Sequence, residues 1–186
     1  MSEPISALAG NSAEGFARVS EAGLQGMITL RGNLASAALA AAVKAATGCA
    51  LPGNRGIHTK AGRAAAWMSP DELLLLVPYG EAEATAAALA EALAGEHALA
   101  ANVSDARALF RISGAKADQV AMKLCPVDFA RLPQGEIRRT RAAQVAAALW
   151  RSAPDEISLV CFRSVAGYVF DLLAISARTG SELAPA

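Results

Sequence analysis

The carboxylate best placed for chemistry is Asp128, in the run Cys125-Pro126-Val127-Asp128-Phe129. It follows a predicted helix end and has apolar neighbours. A carboxylate that such neighbours partly bury can take up a proton or hold a protonated ring nitrogen, and Asp is also a good turn former. Arg138, Arg139 and Arg141 form the compact basic run of the chain. On a strand Arg139 and Arg141 share one face and Arg138 takes the other, so the run suits a solvated edge, a protein contact or a clamp on a carboxylate. Asp105 and Arg107, two apart, could pair along a strand. His58 and His97 have no cysteine near them, and Cys49, Cys125 and Cys161 are widely spaced without a C-x-x-C, so the reading contains no metal site and treats the thiols as small buried apolar groups. G-x-S-x-G, H-E-x-x-H, P-loop and G-x-G-x-x-G motifs are absent, which removes the usual support for hydrolase, zinc protease, NTPase and dinucleotide-fold readings.

Side chains of this kind need a scaffold, and the composition bounds it. The chain has 186 residues, with 17 Lys+Arg balancing 17 Asp+Glu, so its net charge gives no footprint for a nucleic acid. Hydrophobic residues make up 54%, much of it alanine, which suits helices at both surface and tight packings. The start MSEPISALAGNSAEG lacks a basic region followed by an apolar core, and LLLLVP is too short to span a bilayer. The expectation is a cytoplasmic protein with no membrane partner.

The organising stretch runs from Val103 to Phe129. Phe110 and Ile112 alternate with Leu109 and Arg111 as on a half-buried strand, Ser113-Gly114 turns, and Ala117, Val120, Ala121 and Leu124 take helical spacing until Pro126. Before it, Phe16–Ser20 and Gly26–Arg31 read as strands, with Ala22-Gly23 offering a hairpin turn. A helix capped by Asn33 then runs to Thr47 and stops at Gly48. Ile57–Thr59, Ala64–Met68 and Leu73–Val77 follow as strands, and Gly80–Ala94 as a helix. The order then repeats: His97–Val103 and Ala106–Ile112, the helix after Gly114, strands over Arg138–Trp150 and Glu156–Phe162, and a last helix capped by Ser164. Gly32 and Gly114 lie 82 residues apart, Trp67 and Trp150 lie 83 apart, and Pro70-Asp71-Glu72 returns 84 residues later as Pro154-Asp155-Glu156. The added residues fall in loops, where insertions cost little, and the paired tryptophans read as equivalent packing at equivalent turns.

The expected fold is α+β: a duplicated strand-strand-helix-strand-strand-strand-helix unit with pseudo-twofold symmetry, the halves sharing or exchanging edge strands. Residues 1–15 are expected to be a loose start, 16–178 a single duplicated domain with half-repeats of about 16–95 and 96–178, and 179–186 a tail.

VSDARALFRISG, MKLCPVDF, WMSPDELLLLVP and CFRSVAGYVFDLL together resemble the gamma subunit of heterotetrameric sarcosine oxidase, through most of residues 60–176. That family is similar in turn to the folate-binding aminomethyltransferase of the glycine cleavage system, whose fold is a duplicated α+β unit. The resemblance implies a mainly structural gamma subunit with no autonomous activity, partnered by alpha, beta and delta subunits. The complex it implies demethylates sarcosine to glycine, uses FAD, FMN, NAD, tetrahydrofolate and zinc through other subunits, and passes the one-carbon unit to tetrahydrofolate. This chain alone is expected to bind none of these cofactors. In the aminomethyltransferase an aspartate after the corresponding helix faces folate, so the resemblance makes Asp128 the best catalytic candidate; with Arg139 and Arg141, which suit a carboxylate tail, it completes the candidate folate-facing set. On this resemblance the chain is expected to correspond to the first folate-binding-like module alone, and it has no K-G-C-x-x-G-Q-E segment. Alternative readings are a stand-alone folate-binding module of one-carbon metabolism and a generic protein-interaction subunit.

Overall fold

The computed structural model describes residues 3–183. In chain order the elements are β1 Ser12–Ala13, β2 Arg18–Glu21, β3 Gly26–Arg31, α1 Ala37–Thr47, β4 Ile57–Lys60, β5 Arg63–Ser69, β6 Glu72–Val77, α2 Ala82–Ala92, β7 Leu99–Asn102, β8 Arg107–Ser113, α3 Ala117–Met122, β9 Ile137–Ala142, β10 Val145–Ala153, β11 Glu156–Phe162 and α4 Ala166–Ser176. From β2 to α2 and again from β7 to α4 the order is strand-strand-helix-strand-strand-strand-helix, so the α+β class and the repeat are both present in the structure.

The chain divides into two compact units. An inserted unit spans Gln25–Ser104, and a split unit combines the residues through Leu24 with those from Asp105 onward. The inserted unit's sheet has the order β4-β5-β6-β3-β7, and the split unit's sheet has the order β1-β2-β8-β11-β10-β9. All named pairings are antiparallel. Read in register, β4, β5, β6, β3 and β7 correspond to β9, β10, β11, β8 and β2. The first strand of each repeat therefore pairs in the sheet built by the other repeat. This exchange overturns the hairpin expected at Ala22-Gly23: β2 pairs with β8, whereas β3 lies between β6 and β7. The equivalent turns keep their bonds, with Gly32 donating to the Asp71 carbonyl at 3.0 Å and Gly114 to the Asp155 carbonyl at 2.9 Å.

Each sheet carries its helices on one face. In the inserted unit Ile28, Leu30, Ala65, Leu73 and Leu75 pack with Leu39 and Val43 of α1 and Ala86 and Leu89 of α2. In the split unit Phe110, Ile112, Leu149, Ile157 and Leu159 pack with Val120 of α3 and Val169, Phe170 and Leu173 of α4. Central strands are buried on the other face too. All six residues of β6 are buried, and on β8 Leu109 is buried beside Phe110, which explains continuous apolar runs where a half-buried strand would alternate.

Local geometry sets the element ends. α1 stops where expected: Gly48 takes the left-handed conformation at φ 71° and its N–H returns to the Lys44 carbonyl, geometry that glycine adopts without a Cβ penalty. Its N-cap is Ser36, whose hydroxyl accepts from Leu39 N; Asn33 instead accepts from Ala35 N at 3.0 Å and shapes the preceding turn. α4 is not capped by Ser164, which sits inside a 3-10 turn, Arg163–Val165, that leads into the helix.

The tryptophans do not share an environment. Trp67 pairs across its strand with Leu73, but the residue in that place on β10 is Arg151, opposite Ile157; Trp150 pairs with Ser158. Trp67 packs against the helix-side core, whereas Trp150, 5% exposed, points to the other face of its sheet. A one-residue difference in a strand changes the face, so the sequence coincidence conceals opposite packing. The start expected to be loose is tied down as well. Buried Glu21 accepts from Ser6 Oγ at 2.8 Å, Leu8 N at 3.0 Å and Gly10 N at 2.7 Å, and β1 pairs with β2. In the expected tail Lys123 Nζ donates to Ser181 Oγ at 3.1 Å and Leu183 N to Gln119 Oε1 at 2.9 Å. Those two expectations also cover residues 1–2 and 184–186, which lie outside the described residues.

Candidate functional site

Pro126 ends the α3 region, and the chain passes through extended Asp128 into a 3-10 turn over Phe129–Arg131. Cys125, Phe129 and Leu132 turn inward and are buried. Asp128 turns outward: its side chain is 59% exposed and pairs with Arg131 Nε at 3.6 Å. The expected partial burial is therefore corrected, because the three apolar neighbours fill the core and leave the carboxylate to solvent. An exposed carboxylate held beside Arg131 suits surface recognition of a hydrogen-bond donor.

Arg151 holds this loop in place. Its guanidinium, 15% exposed, bonds Asp118 Oδ2 at 2.8 Å, the Leu132 carbonyl at 3.2 Å, the Pro154 carbonyl at 3.0 Å and the Phe129 carbonyl at 3.4 Å. One planar group with several donors thereby anchors a turn of α3, the 129–132 segment and the β10–β11 turn. The sequence reading missed it. The available signal was an arginine following Trp150 inside a strand, where an exposed charge is out of place.

Arg139 and Arg141 are exposed on edge strand β9, on the sheet face opposite the helices, across from Ala148 and Ala146. They share a face as expected. Arg138 lies on the helix-side face and pairs with Glu136. Asp105 is not on a strand: it sits in the 3-10 turn Ser104–Ala106, with Arg163 Nη1 4.0 Å from its Oδ1. The Arg107 guanidinium stacks over the Phe162 ring at 4.0 Å. His58 Nδ1 lies 2.9 Å from the Ala50 carbonyl.

All three thiols are buried and unpaired in disulfides. Burial pushes the Cys125 thiol up to about 12, and Cys161 up to about 11, with the Arg107 charge partly opposing the second shift. A thiol held protonated is a poor nucleophile at neutral pH. Among the described residues no three His, Cys, Asp or Glu side chains group as metal ligands.

The inserted unit contains two sizeable hollows. A cleft of about 710 Å³ lies between α1 and α2, lined by Ala42, Ala46, Ala84, Ala88, Lys60 and the Arg63–Glu81 ion pair. A second, of about 630 Å³, is bordered by Arg31, Asn33, Asp71, His97 and Leu99.

Residues 31–178 match the model of the sarcosine oxidase, gamma subunit family. The sarcosine oxidase subunit gamma of Arthrobacter sp is 35% identical over 116 residues, which make up 60% of this chain and 56% of that protein. The match thus spans little more than half the length of that curated relative. A chain of the heterotetrameric sarcosine oxidase from Corynebacterium sp. U-96, in complex with pyrrole 2-carboxylate, superposes with a TM-score of 0.82 at 25% identity, covering 94% of this chain and 91% of that one. The glycine cleavage system aminomethyltransferase T from Bartonella henselae superposes at 0.62 with 18% identity, covering 86% of this chain and 45% of that one, a likeness of fold. The resemblance drawn from RISG, CPVD and the Pro-Asp-Glu turn is borne out, and the family match begins N-terminal to those motifs, at residue 31. No helix among the described residues is long and apolar enough to cross a membrane.

Proposed function

We propose that this chain, which belongs to the sarcosine oxidase gamma subunit family, serves as the mainly structural gamma subunit of a flavin-dependent heterotetramer that demethylates sarcosine to glycine. In this reading the one-carbon unit passes to tetrahydrofolate, and alpha, beta and delta chains are the partners in the cytoplasm. FAD, FMN, NAD, folate and zinc are held by those chains. The observation that carries the proposal is that nearly a whole chain of a heterotetrameric oxidase superposes on nearly the whole of this one. The chain's own polar groups are consistent with a scaffold: Glu21 and Arg151 are spent on internal backbone atoms, and the Cys125 and Cys161 thiols stay protonated.

Co-expression with the neighbouring oxidase subunits, followed by purification on a tag carried by this chain, tests the reading. The expected result is a yellow complex with sarcosine oxidase activity, and loss of intact complex when this chain is omitted. A colourless lone chain that binds tetrahydrofolate would overturn it in favour of an independent folate module. Asp128, Arg139 and Arg141 would then be the residues to replace, with folate affinity as the readout.

A further inference from the structure

Sheet edges expose unpaired backbone groups, and proteins protect them with charge, brevity or cover. Among the four sheet edges of the described residues, β9 carries Arg138, Arg139 and Arg141, β4 carries His58 and Lys60, and β1 is two residues long. The fourth edge, β7, has the sequence Leu-Ala-Ala-Asn, with no charge, no proline and no bulge, and its Leu99 is 57% exposed.

The split unit contains the same strand in a covered form. β2 corresponds to β7 residue for residue, Val19 to Ala100 and Glu21 to Asn102, because each is the strand that pairs with β8 or β3 in equivalent register. In the β2–β8 ladder Ala22 N bonds the Leu109 carbonyl directly, so Val19 and Glu21 direct their backbone groups away from β8. β1 takes them: Glu21 N donates to the Asn11 carbonyl at 2.9 Å, and Ala13 lies opposite Val19 with its methyl against the core. In the β7–β3 ladder Val103 N bonds the Met27 carbonyl directly, so Ala100 and Asn102 likewise direct their backbone groups outward. β7 ends the sheet. Glu21 organises the covering segment of the split unit, but its counterpart Asn102 is committed to Glu83 and Ser104 of its own unit.

The surroundings of β7 show what would fit. On its helix side is a hollow of about 200 Å³ lined by Leu89, Leu93, Ala98 and Ala100, the counterpart of the place taken by Ala13. On its other side lies the larger cleft with Arg31, His97 and Leu99. We infer that the outer edge of β7 receives an extended antiparallel segment of another subunit, an uncharged strand that bonds Ala100 and Asn102 and places a small apolar side chain against Leu89 and Leu93. This rests on the proposed role as an oxidase subunit and identifies the surface that role uses. Strand addition fits because backbone bonds supply the attachment and alternate side chains supply selectivity.

The test uses the full chain and the assembled complex. Ala100→Pro removes an outward donor and leaves the bonds to β3 in place; Leu99→Lys adds the charge this edge lacks. Both variants should unfold like the parent chain yet assemble at least roughly tenfold more weakly, as read by titration of the remaining subunits. In hydrogen exchange the Ala100 and Asn102 amides should exchange freely in the isolated chain and become protected in the complex. A wild-type complex in which these amides remain unprotected, or in which both variants assemble normally, overturns this inference and leaves the subunit proposal standing. Protection in a homodimer of the isolated chain would overturn it by making a second copy the occupant. A wild-type chain that assembles with no other subunit overturns both.

Discussion

The two units share a backbone plan but fill it differently. α2 and α4 are both eleven residues long and leave their sheets at equivalent points. Where α4 has Tyr168, Val169, Phe170, Leu172 and Leu173, α2 has Ala84, Thr85, Ala86, Ala88 and Leu89. The contrast continues at the helix entrance. Glu81 precedes α2 and pairs with Arg63 of the β4–β5 hairpin; Val165 precedes α4, and it and Val145 of the β9–β10 hairpin pack against the core. The small side chains leave the 710 Å³ cleft in the inserted unit. Strand and helix order therefore set the frame, and side-chain volume decides whether the frame becomes a packed core or a hollow.

If that contrast governs stability, Phe170→Ala should be the most damaging change. The ring is 7% exposed and lies 6.3 Å from the Phe110 ring, so its loss should cost about 3–5 kcal/mol in denaturant unfolding. Ala86→Gly, the matching site in the inserted unit, should cost about 1 kcal/mol, through helix propensity. Arg151→Ala comes next, at about 3 kcal/mol, because it strands Asp118 and several carbonyls; Asp118 Oδ1 already has no partner among the described residues. Trp67 occupies the matching place, so Arg151→Trp tests whether an apolar group can take over, and a stable variant with an unprotected 126–136 loop in hydrogen exchange would show that the arginine orders the loop rather than the fold. Glu21→Ala should cost about 2 kcal/mol and release β1, whereas Asn102→Ala should cost about 1 kcal/mol.

The smallest effect depends on pH. The Cys125 thiol is raised in the folded state from 9.0 to about 12, so the folded chain holds its proton where the unfolded chain has lost it. That contribution is fully present below pH 9 and is lost as pH rises through about 12; at pH 10 it should destabilise the fold by about 1 kcal/mol. Cys161 follows the same sign over a narrower window ending near 11. Cys125→Ala should flatten the alkaline limb of a stability–pH curve and leave the curve near neutrality unchanged in slope.

The partial burial expected of Asp128 failed for one reason. Asp128 has apolar neighbours in sequence, and sequence proximity does not say which of them turn inward; Cys125, Phe129 and Leu132 do, and the carboxylate is left outside. Arg139 and Arg141 were legible because alternation along a strand is fixed by backbone geometry. Arg151 was not, because its partners Asp118, Phe129, Leu132 and Pro154 come from separate elements.

The sequence by itself determined the repeated element order, the α+β class, the Gly48 stop and the family, since periodicity, turn chemistry and motif letters act over a few residues at a time. Only the tertiary structure decided which strands exchange sheets, β2 and β7, that Trp67 and Trp150 face opposite ways, and that one edge is covered by β1 while its counterpart stays open. Those outcomes depend on which distant strand offers a free backbone ladder and an unfilled apolar face, and a slip of one residue reverses the face that a strand presents.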